Sequence, residues 1–174
     1  MASQELQAGA DEITEILKTS RVVAVVGLSS NPDRPSHQVA RYLQEHGYRI
    51  IPVNPGCREV LGETCYASLG DVPFPLDLVD IFRNVEAIPA IVDEAITVGA
   101  KVVWMQLGVR NDEAAKLAEA AGLKVVMNRC PKIEYGRLSG ELSWAGVNSR
   151  MLSSKRALLA AKGVQHRVLK ATGE

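Results

Sequence analysis

The chain has 174 residues, 47% of them hydrophobic, 23% charged and 5% aromatic; this length can bury a full core without metal or disulfide help, and the composition is that of an ordinary globular protein. Lys plus Arg and Asp plus Glu stand at 20 each, so no overall field draws in nucleic acid or an anionic membrane, and only a local basic cluster would serve such a role. Three cysteines, Cys57, Cys65 and Cys130, form an odd set with no C-x-x-C pair, which fits neither a disulfide framework nor a zinc site and points to a reducing cytoplasm.

The first residues, Met1 to Gly9, carry no basic stretch followed by an apolar run, and no later apolar run approaches ~20 residues, so neither export nor a membrane span is expected. From Asp11 to Thr19, Ile13, Ile16 and Leu17 recur at helical spacing behind an acidic first turn, predicting a short leading helix. Val22 to Val26 is too short and too β-branched for a helix, and it is apolar on both faces as a central parallel strand must be. Val39, Tyr42 and Leu43 then share one face of a helix, with Gln38, Arg41, Gln44 and Glu45 mostly opposite and Gly47 at its stop.

Arg49 to Val53 reads as a second strand, ended by Asn54-Pro55-Gly56; the stretch to Ala67 reads mostly as loop, with a brief helix near Ala67. Leu76 to Phe82 is another buried strand, Val85 to Val98 a helix with Ile88, Ile91, Val92 and Ala95 on its face, and Lys101 to Leu107 a further strand. Asn111 caps a helix through Ala121, Gly122 closes it, and Leu123 to Met127 is the last strand. The alternation predicts a single doubly wound (Rossmann-like) α/β domain over residues 11–138, with a mostly parallel five- to six-stranded sheet and helices on both faces. The chain from Cys130 to Glu174 is less patterned, and residues 139–174 form an extension, partly helical and either packed on the domain or frayed; Met151, Leu152, Lys155, Leu158 and Leu159 fit a helix there.

In open parallel sheets a ligand sits beyond the carboxyl ends of the strands, near the point where strand order reverses. The turn from Gly27 to Ser36 is placed there. Gly27 removes a Cβ where the backbone bends, Ser29, Ser30 and Ser36 offer hydroxyls, Arg34 offers a charge, and the N–H groups opening the next helix face an anion. The turn is not a dinucleotide fingerprint, because G-x-G-x-x-G requires glycines where Ser29 and Pro32 stand, and the Walker spacing is absent. Strand two also ends in Asn54-Pro55, where an NAD enzyme places an acidic residue for the ribose. Read alone, the turn is either a phosphate site or an ordinary strand-to-helix connection, with Ser36 a helix N-cap and Arg34 a solvated side chain.

Five spaced runs, Val22 to Ser36, Tyr48 to Pro55, Val79 to Arg83, Val103 to Gly108 and Met127 to Pro131, together resemble the stand-alone bacterial and archaeal CoA-binding proteins. The chain is similar as well to the N-terminal CoA-binding part of the succinyl-CoA synthetase α subunit, without its second domain. The resemblance implies coenzyme A laid across the carboxyl edge of the sheet, with its phosphates over Gly27, Ser29, Ser30, Arg34 and Ser36. It implies the adenosine near Asn54, Pro55 and Arg83, and the pantetheine running past Ile81 and Phe82 toward Trp104, Met105, Gln106, Asn128 and Cys130. For Phe82, Trp104 and Met105 core packing is the competing expectation, and Gln106 and Asn128 serve equally to satisfy loop backbone.

The catalytic candidates in such a crevice are Cys130, His37, Asp33 and Asp80, and their spacing makes no recognisable nucleophile–base constellation. His37 lies in a first helical turn, where the dipole disfavours its protonated form. Cys130 is either an inert buried thiol or a partner for a mixed disulfide with CoA. The expected function is non-catalytic binding of CoA or an acyl-CoA by a monomer or small homo-oligomer, with no metal, nucleic acid or membrane. An acyl-CoA-handling enzyme or ligase-related subunit and a NAD-type domain are the alternatives.

Overall fold

A computed structural model describes residues 9–139. Seven strands run through them: β1 (Val22–Val26), β2 (Arg49–Val53), β3 (Glu59–Val60), β4 (Glu63–Thr64), β5 (Leu78–Ile81), β6 (Val102–Met105) and β7 (Lys124–Val126). The helices are α1 (Ala10–Thr19), α2 (Pro35–Glu45), α3 (Ile88–Thr97), α4 (Asp112–Ala120) and α5 (Pro131–Ser139). Five strands form one parallel sheet in the order β2-β1-β5-β6-β7, within the expected five to six. The chain steps outward from β1 to β2 and then crosses back to β5, so the order reverses between β1 and β5 and opens a crevice beyond their carboxyl ends.

Alternation along the strands divides the core in two. Ala24, Val26, Ile51, Val53, Val79, Ile81, Val103 and Met105 pack against α3 and α4 through Ile88, Ile91, Val92, Ala114 and Ala118. Val23, Val25, Ile50, Leu78, Val102 and Trp104 pack the other way, against α1, α2 and α5 through Ile16, Leu17, Val39, Leu43 and Ile133. Asp80 lies in register with Val25 and Trp104, and this places a carboxyl group on that second apolar face. At the opposite edge Tyr48 donates its hydroxyl to the carbonyl of Leu17, and Asp77 accepts the N–H groups of Arg21 and Val22, each at 2.9 Å.

Two elements depart from the sequence reading and a third refines it. The stretch after Asn54, expected to be mostly loop, contains the antiparallel hairpin β3–β4. Its two-residue turn puts Leu61 at φ 56° and Gly62 at φ 76°, a conformation that Asn-Gly or Asp-Gly normally signals and Leu-Gly does not. Near Ala67 the brief helix is a 3-10 turn over Leu69–Asp71. Helix α5 escapes a reading by pattern because it buries Lys132, Pro131 and Gly136 beside Ile133, so hydrophobic periodicity is absent from its sequence. The positions assigned to a helix in the extension lie outside the described residues. Among the described residues no helix is long and apolar enough to cross a membrane, and no cluster of His, Cys, Asp and Glu has metal-site geometry.

Candidate functional site

At the crevice the chain turns sharply at Gly27, with φ +86°. Gly27 donates its N–H to Val53 at 2.8 Å, and Phe82 donates to Val26 at 2.8 Å, so the ends of β2, β1 and β5 are bonded side by side. A Cβ on Gly27 would stand 2.3 Å from the Phe82 carbonyl oxygen and 3.0 Å from Cδ of Arg83. The neighbouring strand therefore demands glycine here, whether or not a phosphate lies above the turn.

The remainder of the turn is tied to itself. Ser29 donates its N–H to the Ser36 hydroxyl at 3.0 Å, Asn31 donates to the Ser29 hydroxyl at 3.1 Å, and Asp33 donates to the Asn31 side chain at 3.0 Å. Ser36 is not the helix cap that its propensity suggests. Arg34 holds the N-cap position and Pro35 starts the helix, its missing N–H costing nothing there. Ser36 is instead buried in the first turn, where its hydroxyl fastens the loop. His37, also buried, lies 2.9 Å through Nδ1 from the Ser29 carbonyl; a carbonyl only accepts, so Nδ1 carries the proton. Ser30 and Arg34 remain exposed at the rim.

Asn54 fastens the loop after β2 to this turn. Its Nδ2 donates to the Leu28 carbonyl at 3.0 Å, and its Oδ1 accepts from Gly56 at 2.9 Å. An Asn54→Ala variant loses both bonds and leaves a part-buried carbonyl unpaired, so its unfolding free energy should fall by roughly 1–3 kcal/mol in urea titration. Below Pro55 a cavity of about 240 Å³ opens between Gly27, Val53, Leu69, Ile91, Arg83 and Glu94. Leu69 and Glu94 are not among the residues anticipated from the sequence. Glu94 follows Ile91 by one helical step, and its carboxylate accepts the Leu69 N–H at 3.1 Å, a pairing between distant segments that no local pattern signals.

The remaining predicted residues separate into two groups. Phe82 is half-buried and Arg83 exposed beside the cavity, while Asn128, exposed at φ 55°, accepts the Gly108 N–H at 2.7 Å and joins the loops after β6 and β7. The side chains of Ile81, Trp104, Met105 and Cys130 are enclosed in the core, none more than 1% exposed. Trp104 donates its indole N–H to the Arg129 carbonyl at 2.9 Å. Gln106, buried as well, donates Nε2 to Oδ1 of Asp80 at 2.6 Å. Oδ2 of Asp80 has no partner, and burial, against the smaller opposing effect of the Gln106 bond, pushes the carboxyl up to about 7.

The model of the CoA binding domain family matches residues 21–136, a span that runs from β1 through most of α5 and includes every strand of the crevice. The chain belongs to this family. Among similar proteins, Bacillus subtilis (strain 168) YneT, described as an uncharacterized protein, is 43% identical over 124 residues, covering 71% of this chain and 92% of that one. The solved structure of a hypothetical protein from Pyrococcus horikoshii OT3 shares 44% identity and superposes with a TM-score of 0.75, covering 78% of this chain and 95% of the other. Acetate–CoA ligase [ADP-forming] I of Archaeoglobus fulgidus is 27% identical over 145 residues. The match takes in 78% of this chain and 21% of the ligase, so this CoA-binding-family chain spans about a fifth of that relative.

Proposed function

We propose that this chain is a cytoplasmic binding module for coenzyme A or an acyl-CoA, held across the carboxyl edge of the sheet without turnover. The observation that carries the reading is the pairing of a polar strand-to-helix turn with an adjoining, mostly apolar cavity at the β1/β5 crossover, in a chain of the CoA binding domain family. The pyrophosphate lies over the Gly27–Ser36 turn, where the Ser29 and Ser36 hydroxyls keep a proton to donate, the amino end of α2 favours an anion, and Arg34 supplies charge. The adenosine enters the cavity beside Pro55 and Arg83. At about 240 Å³ this cavity is smaller than the ~300–1,000 Å³ of a typical whole-ligand pocket, so it suits one end of an extended ligand. The pantetheine follows half-buried Phe82 and the exposed Gly108 and Asn128 beyond it, while Ile81, Trp104, Met105 and Cys130 support that path from beneath.

Side-by-side calorimetry with CoA, acetyl-CoA, NAD and ATP tests the reading, with CoA or acetyl-CoA expected to bind most tightly. NAD binding more tightly than CoA would overturn it. Arg83→Ala should weaken CoA binding by roughly tenfold through loss of a charge-assisted contact at an exposed position, with the urea midpoint unchanged. A second reading, a subunit that hands CoA to a ligase, draws on the similarity to the archaeal ligase. Acyl-CoA hydrolysis or ligation by the purified chain, abolished in Cys130→Ala or His37→Ala, would establish an enzyme in place of the module.

A further inference from the structure

Two cysteines stand outside the site just described, at the base of the β3–β4 hairpin. Cys65 donates its N–H to the Arg58 carbonyl at 2.8 Å, which extends the ladder one step beyond Glu59 and Thr64. Cys57 is next to Arg58, so it lies diagonal to a hydrogen-bonded antiparallel pair. Such a pair stands about 5.5 Å apart at Cα and a strand step is about 3.4 Å. For a straight strand the diagonal would be about 6.5 Å, near the upper end of the ~4.4–6.8 Å that a disulfide spans.

In a regular strand the two side chains would point to opposite faces, but the chain turns at this point. The N–H of Cys57 bonds back to the Asn54 carbonyl at 3.4 Å, and the thiol of Cys65 donates to that same oxygen at 3.3 Å. One carbonyl thus gathers both residues. Each is half-buried and each is a free thiol, whereas Cys130 is 1% exposed. Burial, and more weakly the nearby Cys57, raise the Cys65 thiol above its ordinary value.

We infer that Cys57 and Cys65 form a reversible disulfide that fixes the base of the hairpin, with a low-molecular-weight disulfide as the oxidant. The thiolate of one cysteine attacks the small disulfide and forms a mixed disulfide, expelling one small thiolate. The second cysteine, as thiolate, attacks the protein sulfur of that mixed disulfide and expels the other small thiolate. The two protein thiol protons end on the two departing thiols, so the protein loses two electrons and the small disulfide gains them. Oxidation removes the Cys65 donor from the Asn54 carbonyl and joins the hairpin covalently to the loop that Asn54 staples to Leu28.

The test is equilibration of the folded protein with a glutathione and glutathione disulfide buffer, acid quenching, and peptide mass mapping. Trypsin cleaves after Arg58, so the two cysteines fall in different peptides and their link is read directly. The expected result is a Cys57–Cys65 peptide pair in roughly tenfold or greater excess over single glutathione adducts, as an intramolecular second step dictates. The link should reverse with dithiothreitol while Cys130 stays reduced. Cys57→Ser should convert Cys65 to a persistent glutathione adduct, a result that does not depend on the link itself being stabilising. Separate adducts on Cys57 and Cys65 in the wild type, a link from either to Cys130, or no reaction where the urea-unfolded chain cross-links would each overturn the inference.

Discussion

Gly27→Ala is expected to lower the unfolding free energy by about 3 kcal/mol and, on the proposed function, to abolish CoA binding with it. Two costs add at this position. A left-handed backbone angle costs a residue with a Cβ about 1–2 kcal/mol, and Gly27 stands at φ +86°. The new methyl group would also lie 2.3 Å from the Phe82 carbonyl oxygen, a backbone atom held in place by the β1–β5 ladder, and relieving that overlap costs a further ~1–3 kcal/mol. Gly99 separates the two effects. It has φ +75° with nothing within 4 Å of where a methyl group would stand, so Gly99→Ala should show the smaller, conformational cost alone. Urea titration of both variants against the wild type is the measurement. A Gly27→Ala protein within about 1 kcal/mol of wild type would show that the strand ends adjust and that the clash is not what requires glycine.

Asp80→Asn is expected to remove most of the pH dependence of stability between about pH 4 and pH 8. The Asp80 carboxyl is fully enclosed, bonded once to Gln106, and raised from its ordinary value to about 7 by burial. Below the unfolded-state value both states carry the proton and the group contributes no slope. As pH rises past it, the unfolded chain ionises first, and the folded state falls behind until its own carboxyl ionises near 7. Wild-type stability should therefore decline across this window by about 4 kcal/mol and level off above it. Asp77 acts at the other end. Burial tends to raise its carboxyl, but the Val22 and Arg21 N–H groups and Lys101 outweigh that and hold it low, so its contribution is lost only as pH falls below the ordinary carboxylate range. Asparagine keeps the shape and the acceptor for Gln106 but cannot ionise. Equilibrium unfolding at several pH values should give a nearly flat curve for the variant across the window, and it should exceed the wild type in stability above pH 8. Parallel curves for the two proteins would refute the assignment.

Much of this architecture was readable because the central strands are buried on both sides. Val22–Val26 and Val102–Met105 are continuous apolar runs too short for helices, and the α3 face of Ile88, Ile91, Val92 and Ala95 repeats at the helical period. The five-stranded parallel sheet follows from that alternation. What local pattern did not carry is what depends on distant partners. Gly27 is legible as a turn glycine, yet its reason is the Phe82 carbonyl, some fifty-five residues further along the chain. Ser36 reads as a cap because serine prefers caps, but the loop needs its hydroxyl inside the first turn, two residues past the cap, at the Ser29 N–H. Trp104 and Met105 occupy the carboxyl end of a strand, where a ligand reading is natural. Their burial is decided by α5 and by α3 and α4, which sequence position alone does not bring onto them.

The division of the core by the sheet has a consequence for how such a protein changes over evolutionary time. The cavity beside Arg83 is backed by Val26, Val53, Leu69 and Ile91, all on the α3 and α4 side. The turn at Ser29 is backed by Leu28, Val39 and Ala40, on the α2 side. Substitutions that reshape one backing leave the packing of the other almost untouched, since contacts seldom couple across a rigid intervening layer. A lineage can thus keep the turn at Ser29 while trying out different shapes for the neighbouring cavity. Each half of the proposed binding edge is a separately heritable trait, and the sheet between them is the boundary.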